Sequence, residues 1–410
     1  MHSPVRLLSV LFSLLLSFSA TGNSLFLHGI QSNGMSSVYS GNGNKAEWVW
    51  LNPAAMSDTL NKTVISTGMH VIMQSTKFQL KTPSMYQAAT GNDFKYPAYL
   101  HFTTPVNERL NIGLSVNQAF SESINWQTEN WAGRFIVNQM DLSTLVIQPA
   151  LSYKIHPDII FGAGLILVRA ELLFNKAMPY RDQNREGSME ITGTSYGIGL
   201  NSGVQWQVNQ NISLGLNYKS GSTIRFNNAQ ANFVAPASLQ RFFAQENPLT
   251  VSWPLASVID LTGRWKINDE FDLDWGLAYT LHSIMGDTGF EFDQSNELLE
   301  DFSIISNDKN RFILRAGVEY KPFIHFSFRA GSWFQKASAD SEYLSPMRPY
   351  SDRIAFSTGM SLIPNNGFSI DLNFLFLAGI TNNASYSPAN FEGLYRTYLF
   401  LPGLGVSYLF

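Results

Sequence analysis

Few residues in this chain are placed to make or break bonds. Gly193-Thr194-Ser195-Tyr196-Gly197 matches the G-x-S-x-G pattern of a nucleophilic serine, but that pattern works only at a sharp strand-to-helix turn. Here it falls in an alternating stretch that reads as a strand, so no nucleophile is expected. Asp272 and Asp274 share one face of another alternating stretch. Paired carboxylates can serve acid–base chemistry, yet the same spacing suits the polar lining of a channel, and that reading is favoured. The seven histidines show no H-x-x-x-H spacing and cysteine is absent, which removes disulfides, thiolate metal sites and cysteine nucleophiles together. Neither an enzyme nor a metal or other cofactor is expected.

The elements that carry these residues are strands of an unusual kind. Charged residues are 14% of the 410, while hydrophobic residues are 45% and aromatics 13%; soluble domains carry about 25% charge. The net charge of -4 provides no polycationic surface, so no nucleic-acid partner is expected. After the first twenty residues no run approaches the roughly 20 apolar residues that a spanning helix needs. Apolar enrichment without apolar runs is what a membrane β-barrel leaves in a sequence, because lipid-facing and lumen-facing residues alternate. The N-terminus fits export: Arg6, then an apolar core from Leu7 to Phe18, then small residues ending at Ala20, the pattern of a signal peptide over 1–20. No lipobox cysteine follows, so any membrane attachment must come from strands.

Period-two alternation recurs down the chain. Leu110, Ile112, Leu114 and Val116 alternate with small or polar residues, as do Ile212, Leu214, Leu216 and Tyr218, the odd positions from Phe271 to Leu281, and the even positions from Phe368 to Phe376. About fourteen strands are expected within 62–410, near 62–73, 97–104, 109–119, 142–155, 159–172, 191–208, 211–226, 251–267, 271–285, 311–321, 323–335, 353–363, 367–380 and 397–410. Short connections such as Pro105–Glu108 and Asn268–Glu270 alternate with long ones such as Phe120–Asp141 and Asn227–Thr250. That is how outer-membrane barrels place periplasmic turns and extracellular loops, and an even strand number returns both ends to the periplasm. A soluble β-sandwich would carry more outward charge and more frequent turns. Tyr153, Trp206, Tyr218, Trp253, Trp265, Tyr320 and Tyr408 stand near strand ends, where an aromatic girdle would lie. The last strand alternates from Tyr398 to Phe410 and finishes on an aromatic residue. The fold class expected is all-β, a transmembrane antiparallel β-barrel.

Residues 21–61 alternate poorly. They carry Gly29, Gly34, Gly41 and Gly43, then Trp48, Trp50 and Leu51-Asn52-Pro53-Ala54. Pro53 cannot donate a ladder hydrogen bond, and about fourteen strands enclose more space than one layer of side chains fills. An N-terminal hatch inside the lumen is therefore expected. These spaced glycines and the run Leu51 to Met56 resemble the hatch of the FadL family of outer-membrane transporters for long-chain fatty acids and other hydrophobic compounds. The likeness continues at Gly162-Ala-Gly164, Trp253-Pro254, Trp275 to Tyr279, Asp308 to Arg311, Gly317 to Tyr320, Arg329-Ala-Gly331 and Tyr350 to Arg353.

The resemblance implies passive transport of long-chain fatty acids or aromatic hydrocarbons through an internal apolar pocket, with hatch rearrangement and lateral exit at a kinked third strand. It places Asn52, Pro53 and Ala54 in a hatch turn beside that exit, and Lys309, less directly Lys176, where a ligand carboxylate is held; an exposed loop-end lysine is the alternative for Lys309. Gly113 is the candidate for the kink, since glycine weakens a strand locally. A departure is that Lys45, Glu47 and two tryptophans stand where the family usually has acidic residues. Phe233, Leu239, Phe242 and Phe243 either form a greasy entrance or pack their own loop. The expected partners are a hydrophobic ligand, outer-membrane lipid and lipopolysaccharide, for a monomer in the outer membrane of a Gram-negative cell. A general diffusion porin and an outer-membrane adhesin remain the alternatives.

Overall fold

A computed structural model describes residues 29–38, 45–58, 62–81, 86–91, 93–128, 130–182, 185–243, 247–283, 286–365, 367–380 and 382–410. The expected signal peptide, 1–20, lies outside the described residues, as do Gly41 and Gly43. The chain forms a closed antiparallel barrel of fourteen wall strands, several of them interrupted. They are β1 (Val64–His70, Ile72–Leu80), β2 (Gln87–Ala89, Phe94–Lys95, Ala98–Pro105), β3 (Leu110–Asn117, Glu122–Asn125), β4 (Gln139–His156), β5 (Ile159–Asp182), β6 (Arg185–Gln207) and β7 (Ile212–Lys219, Ser222–Val234). The second half comprises β8 (Asn247–Leu255, Ser257–Lys266), β9 (Phe271–Leu281, Thr288–Phe292), β10 (Phe302–Ile304, Arg311–Phe323), β11 (Phe326–Gln335), β12 (Arg353–Asn365), β13 (Phe368–Gly379, Asn382–Tyr386) and β14 (Phe391–Leu409). Each strand pairs with its sequence neighbour, and β14 closes on β1 from Val64↔Leu409 to His70↔Gly403.

Closure follows from the solvent. In hydrocarbon an unpaired backbone group costs several kcal/mol, so a sheet can cross a membrane only if it has no edge. The alternation read from the sequence then acquires a direction. Ile212, Leu216 and Tyr218 face outward, while Ser213 and Asn217 are buried toward the lumen. Tyr153, Trp206, Tyr218, Trp265 and Tyr408 are all outward and exposed, as a girdle requires. Trp253 is not among them: it is 1% exposed and faces inward. The reason is the interruption of β8 at Ala256, across which the outward parity shifts by one residue.

Several strands run further than hydrophobic alternation indicates. β5 and β6 stay paired up to Asp182 and Arg185, across a stretch expected to be a loop. Likewise β7 continues to Val234 and β8 begins at Asn247, inside the expected loop 227–250. Outward charges, such as the Arg169–Glu171 ion pair on β5, mark where the wall has left the lipid. The upper lumen is packed by Phe78, Trp126, Trp131, Phe174, Phe226, Phe290 and their neighbours.

Leu216 lies on the lipid face and is half exposed. Leu216→Arg is expected to destabilise the barrel by about 2–4 kcal/mol if the site is near the bilayer midplane, read by reversible denaturant unfolding in lipid vesicles; an unchanged midpoint would contradict the orientation of β7.

Candidate functional site

The lumen is filled by the N-terminal segment, which enters as a short helix α1 (Ile30–Gly34), then α2 (Trp48–Leu51) and a 3-10 turn, Pro53–Asp58. Its backbone lies so close to the wall that side chains must be missing opposite it. A Cβ at Gly162 would stand 2.1 Å from the Ala54 nitrogen and 2.3 Å from the Pro53 carbonyl carbon. A Cβ at Gly331 would stand 2.6 Å from the Met35 carbonyl carbon. These strand glycines are seats for the hatch, which is the close approach that glycine uniquely allows.

Two kinds of bond hold the segment. Toward β8–β13 charged groups take part, beside neutral bonds from Ser357 to Ser36 (2.8 Å) and to the Gly34 carbonyl (3.2 Å). Arg315 donates from Nη1 to the Ser37 carbonyl (2.6 Å) and pairs with Asp260. The Glu47 carboxylate accepts from the Gln31 and Ser32 backbone N–H groups, both at 3.1 Å, and so fastens α2 to α1. Gln31 Nε2 donates to Asp371 (3.0 Å), which also takes the Ser361 hydroxyl. Behind these, Arg329 pairs with Glu319 (2.7 Å), Lys321 with Asp272 (2.6 Å) and Arg264 with Asp274 (2.8 Å). Asp272 and Asp274 are thus members of a lumenal ion-pair ladder. Toward β3–β7 the bonds are neutral apart from one lysine: Asn111 Nδ2 donates to the Met56 carbonyl (2.8 Å), Asn201 Nδ2 to the Trp50 carbonyl (2.7 Å) and Lys219 Nζ to the Leu51 carbonyl (3.2 Å).

The wall itself is broken between β2 and β3. Their ladder ends at Leu100↔Val116, and among the described residues the next pairing is the bridge Thr90↔Trp126. On its other edge β3 pairs Asn117 with Val146 and then Glu122 with Leu142. Five steps along β3 (117 to 122) thus oppose four along β4 (146 to 142), which is a bulge. Phe120 within it has φ 64, a left-handed conformation that costs a β-region residue about 1–3 kcal/mol. On the opposite jamb Pro97 has no N–H to offer. The orphaned donors are met by side chains: Ala98 N donates to Gln118 Oε1 (3.2 Å) and Thr144 N to Ser121 Oγ (3.0 Å). Above, Asn125–Asp93 (2.9 Å) ties the jambs and Lys95 of β2 reaches past β3 to Asp141 of β4 (2.7 Å). The result is a bounded window plugged by Gln118.

Inside the window lies a cavity of about 120 Å³ that opens toward solvent. Phe120, Ser121 and Glu122 form one side, Trp253 to Val258 another, and the loop between β11 and β12 its roof, with Arg311, Arg348 and Tyr350 contributing polar atoms. Burial pushes the Tyr350 hydroxyl up to about 12, so it stays neutral.

Three sequence expectations are corrected by this geometry. Gly113 is not the kink: it sits in an unbroken ladder between Thr103 and Ala150, and a Cβ there would meet Met56 Sδ at 2.6 Å, so it is another hatch seat. The break lies at Gln118–Ser121 instead. Asn52, Pro53 and Ala54 are in the hatch but not beside the window. Asn52 Oδ1 accepts from Ala54 N (3.1 Å) in a tight turn lodged against Gly162 and Gly203 of β5 and β6; the hatch residue at the window is Trp50, whose ring meets Phe120 edge-on at 5.9 Å. Lys309 is two-thirds exposed and drawn outward into an ion pair with Asp340 (2.6 Å), so it does not reach the cavity. Lys176 is half-buried on upper β5 with Nζ 3.9 Å from the Phe302 ring centroid. Phe233, Leu239, Phe242 and Phe243 pack together at the extracellular end, Phe233 and Phe243 with ring centroids 5.0 Å apart. Ser195 lies in an uninterrupted strand and donates to the Arg225 carbonyl. Arg348 and Gln118 were not singled out by sequence reasoning, and Arg311 entered only within the likeness at Asp308 to Arg311; no periodicity marks a side chain that fills a gap or a loop that turns inward.

A lipid-facing barrel with a filled lumen and a breached wall defines an outer-membrane transport protein. The chain belongs to the outer membrane protein transport protein family (OMPP1/FadL/TodX), whose model matches residues 13–400. It is 22% identical to the long-chain fatty acid transport protein of Escherichia coli K12 over 97% of this chain and 96% of that one. It is 23% identical to a 47 kDa outer membrane protein of Pasteurella multocida, over 96% and 95%. Among solved structures it resembles a Pseudomonas aeruginosa FadL homologue (TM-score 0.82, 16% identity, 95% and 99% covered) and the Pseudomonas putida toluene transporter TodX (0.72, 14%, 94% and 98%). At such identities the structural likeness speaks for the fold. Outer-membrane location follows from the family and the barrel.

Gly162→Val keeps strand propensity but collides with the hatch backbone. The expected outcome is a folded barrel whose hatch is unseated, seen as higher ion conductance in planar bilayers and new protease cleavage near Leu51. Unaltered conductance and protection would show that the seat is dispensable.

Proposed function

We propose that this protein carries hydrophobic compounds, long-chain fatty acids or aromatic hydrocarbons, passively across the outer membrane. Ligand collects in the cavity, the hatch segment (21–61) shifts, and ligand leaves sideways through the β2–β3 window into the lipid. The observation that carries this reading is that cavity and window share Phe120, Ser121 and Glu122, so a molecule in the cavity already touches the jamb of the opening. The energetic need is plain. Exposing an alkyl chain to water costs about 0.8 kcal/mol per CH₂, on the order of 10 kcal/mol for a dozen, which a sideways exit into hydrocarbon avoids. The porin reading fits less well, because the lumen is occupied by a segment bonded to the wall on both sides. The names of the relatives, a fatty acid transporter and a toluene transporter, point to the same ligand class. The protein works in this reading as a monomer, with lipid and lipopolysaccharide around its belt.

Of the two lysines first considered, Lys176 is the better placed to meet a carboxylate on its way in, because no hydrogen bond or ion pair among the described residues occupies its ammonium.

Because the chain has no cysteine, the window can be locked selectively. Cross-linking Ala98→Cys to Gln118→Cys with a short bifunctional reagent is expected to abolish uptake of a labelled long-chain acid by cells, with recovery when the link is cleaved. Uptake that persists in the cross-linked protein would rule out lateral exit. Lys176→Ala is expected to slow uptake of the acid and Lys309→Ala to leave it unchanged.

A further inference from the structure

Glu122 is the first residue of the upper β3 segment and follows the Phe120 kink directly. Its carboxylate pairs with Arg348 Nε at 3.1 Å, and at the other end of the same segment Trp126 Nε1 donates to the Pro346 carbonyl (3.1 Å). Arg348 and Pro346 both belong to the roof loop between β11 and β12. The segment from Glu122 to Trp126 is thus bracketed by two bonds to one inward loop. Toward β2, its ladder neighbour across the window, the described residues give it the bridge at Trp126, the bond from Gly91 N to the Asn125 carbonyl (2.9 Å) and the Asn125 tie to Asp93. Its backbone stays in the ladder to β4 from Glu122↔Leu142 to Asn125↔Gln139, and the Glu122–Arg348 pair adds the tie from the kink to the roof loop.

We propose that the cavity senses the charge of its ligand: an anionic head group takes the place of Glu122 on Arg348, and the unladdered kink at Gln118–Ser121, no longer tied to the roof loop through Glu122, shifts to open the window. This inference rests on the uptake reading above and adds its trigger. Arg348 would stay in place when its partner changes, because its guanidinium lies 4.6 Å from the Trp253 ring centroid and its backbone N–H is bound to the Ser345 carbonyl (3.1 Å). Arg348, Glu122 and Phe120 line the same cavity, so a head group there is within reach of the exchange. Two further guanidiniums stand close by: Arg311 lines the cavity, and Arg353 lies 4.0 Å from the Tyr350 ring centroid with a buried Nη2 that has no hydrogen-bond partner among the described residues. Three cations face two carboxylates, Glu122 and Asp308, leaving an excess positive charge to draw in another anion. Exchange of one carboxylate for another keeps the charge-assisted bond to Arg348 while releasing strain at Phe120. A neutral ligand of the same length has nothing to exchange.

The test uses the full-length protein in lipid vesicles with Ala119→Cys, a position fully buried at the window. Its thiol is labelled with a maleimide in the presence of oleate or methyl oleate, and binding of each is followed separately by native mass spectrometry. Oleate is expected to speed labelling roughly tenfold, the population shift that corresponds to about 1.4 kcal/mol, and methyl oleate to leave it unchanged. Adding Glu122→Gln, or approaching from the loop with Arg348→Gln, should give the fast rate with no ligand at all. Oleate that binds and is taken up with no change in labelling overturns the trigger and leaves the uptake reading standing, as do slow rates in both charge variants when each is folded by its heat-modifiable mobility. Failure of oleate to bind or enter removes the uptake reading and the trigger with it.

Discussion

The structure is governed by the intolerance of hydrocarbon for an unpaired peptide group. A sheet surrounded by lipid must close, and a closed sheet of fourteen strands encloses a lumen too wide for its own side chains. What fills that lumen has to be a separate piece of chain, and its backbone must find partners as well. The lumenal asparagines, Arg315 and the strand glycines are three answers to the same requirement: donors where hatch carbonyls point inward, and absent side chains where the hatch presses close. The window is the costly exception. Its orphaned N–H at Ala98 is met by Gln118, and the ladder position skipped by the bulge is met by Ser121, so the wall is opened without leaving bare amides to the lipid.

That requirement also explains what could and could not be read from the chain. The strand count was legible because lipid on one side and polar lumen on the other force a period of two. The legibility ended where lipid ended. Above Arg169 both faces of β5 meet polar surroundings or the packed upper lumen, so alternation in hydrophobicity fades while the ladder continues to Asp182. Trp253 was misplaced for a related reason, since the break at Ala256 exchanges inside and outside and leaves no mark in composition. Gly113 was recognised as a glycine that needed explaining, but strand weakening was the wrong explanation. Its neighbours in space, Met56 and Val49, are more than fifty residues away in sequence. Lys309 shows the limit of carrying a role across by position. Two residues on, Arg311 lines the cavity, while Asp340 on a different loop turns Lys309 outward.

The distribution of charge inside the barrel sorts the molecule into functional regions. The ion pairs along β8–β13 occupy the lower lumen around the hatch, where breaking one partner of a buried pair costs about 3–5 kcal/mol. The upper lumen is aromatic and aliphatic up to the loops, with Phe78, Trp126, Trp131 and Tyr395 packed as one cluster. The cavity sits between the two, with an apolar floor at Trp253 and Leu255 and arginines at its roof and rim. Apolar and cationic surfaces thus meet in one cavity.

This division gives the hatch a stiff side and a soft side. Toward β8–β13 it is held through Arg315 and Asp371, with charge-assisted bonds worth about 1.5–3 kcal/mol each, while Glu47 ties its two helices together. Toward β3–β6 it is held by amide side chains on carbonyls, at about 0.5–1.5 kcal/mol each, and by the contacts of Val49 and Met56 with the wall. The window lies on the soft side, and Trp50 touches the kink there. In the uptake proposed above, displacement of the hatch near the window would break neutral bonds while the charge-assisted anchor holds, and the segment would turn about its fixed side and stay within the lumen. A hatch anchored evenly all round would have to leave as a unit, opening a water-filled pore wide enough to leak. Uneven anchoring would let the wall open at one place in that proposal while the lumen remains occupied.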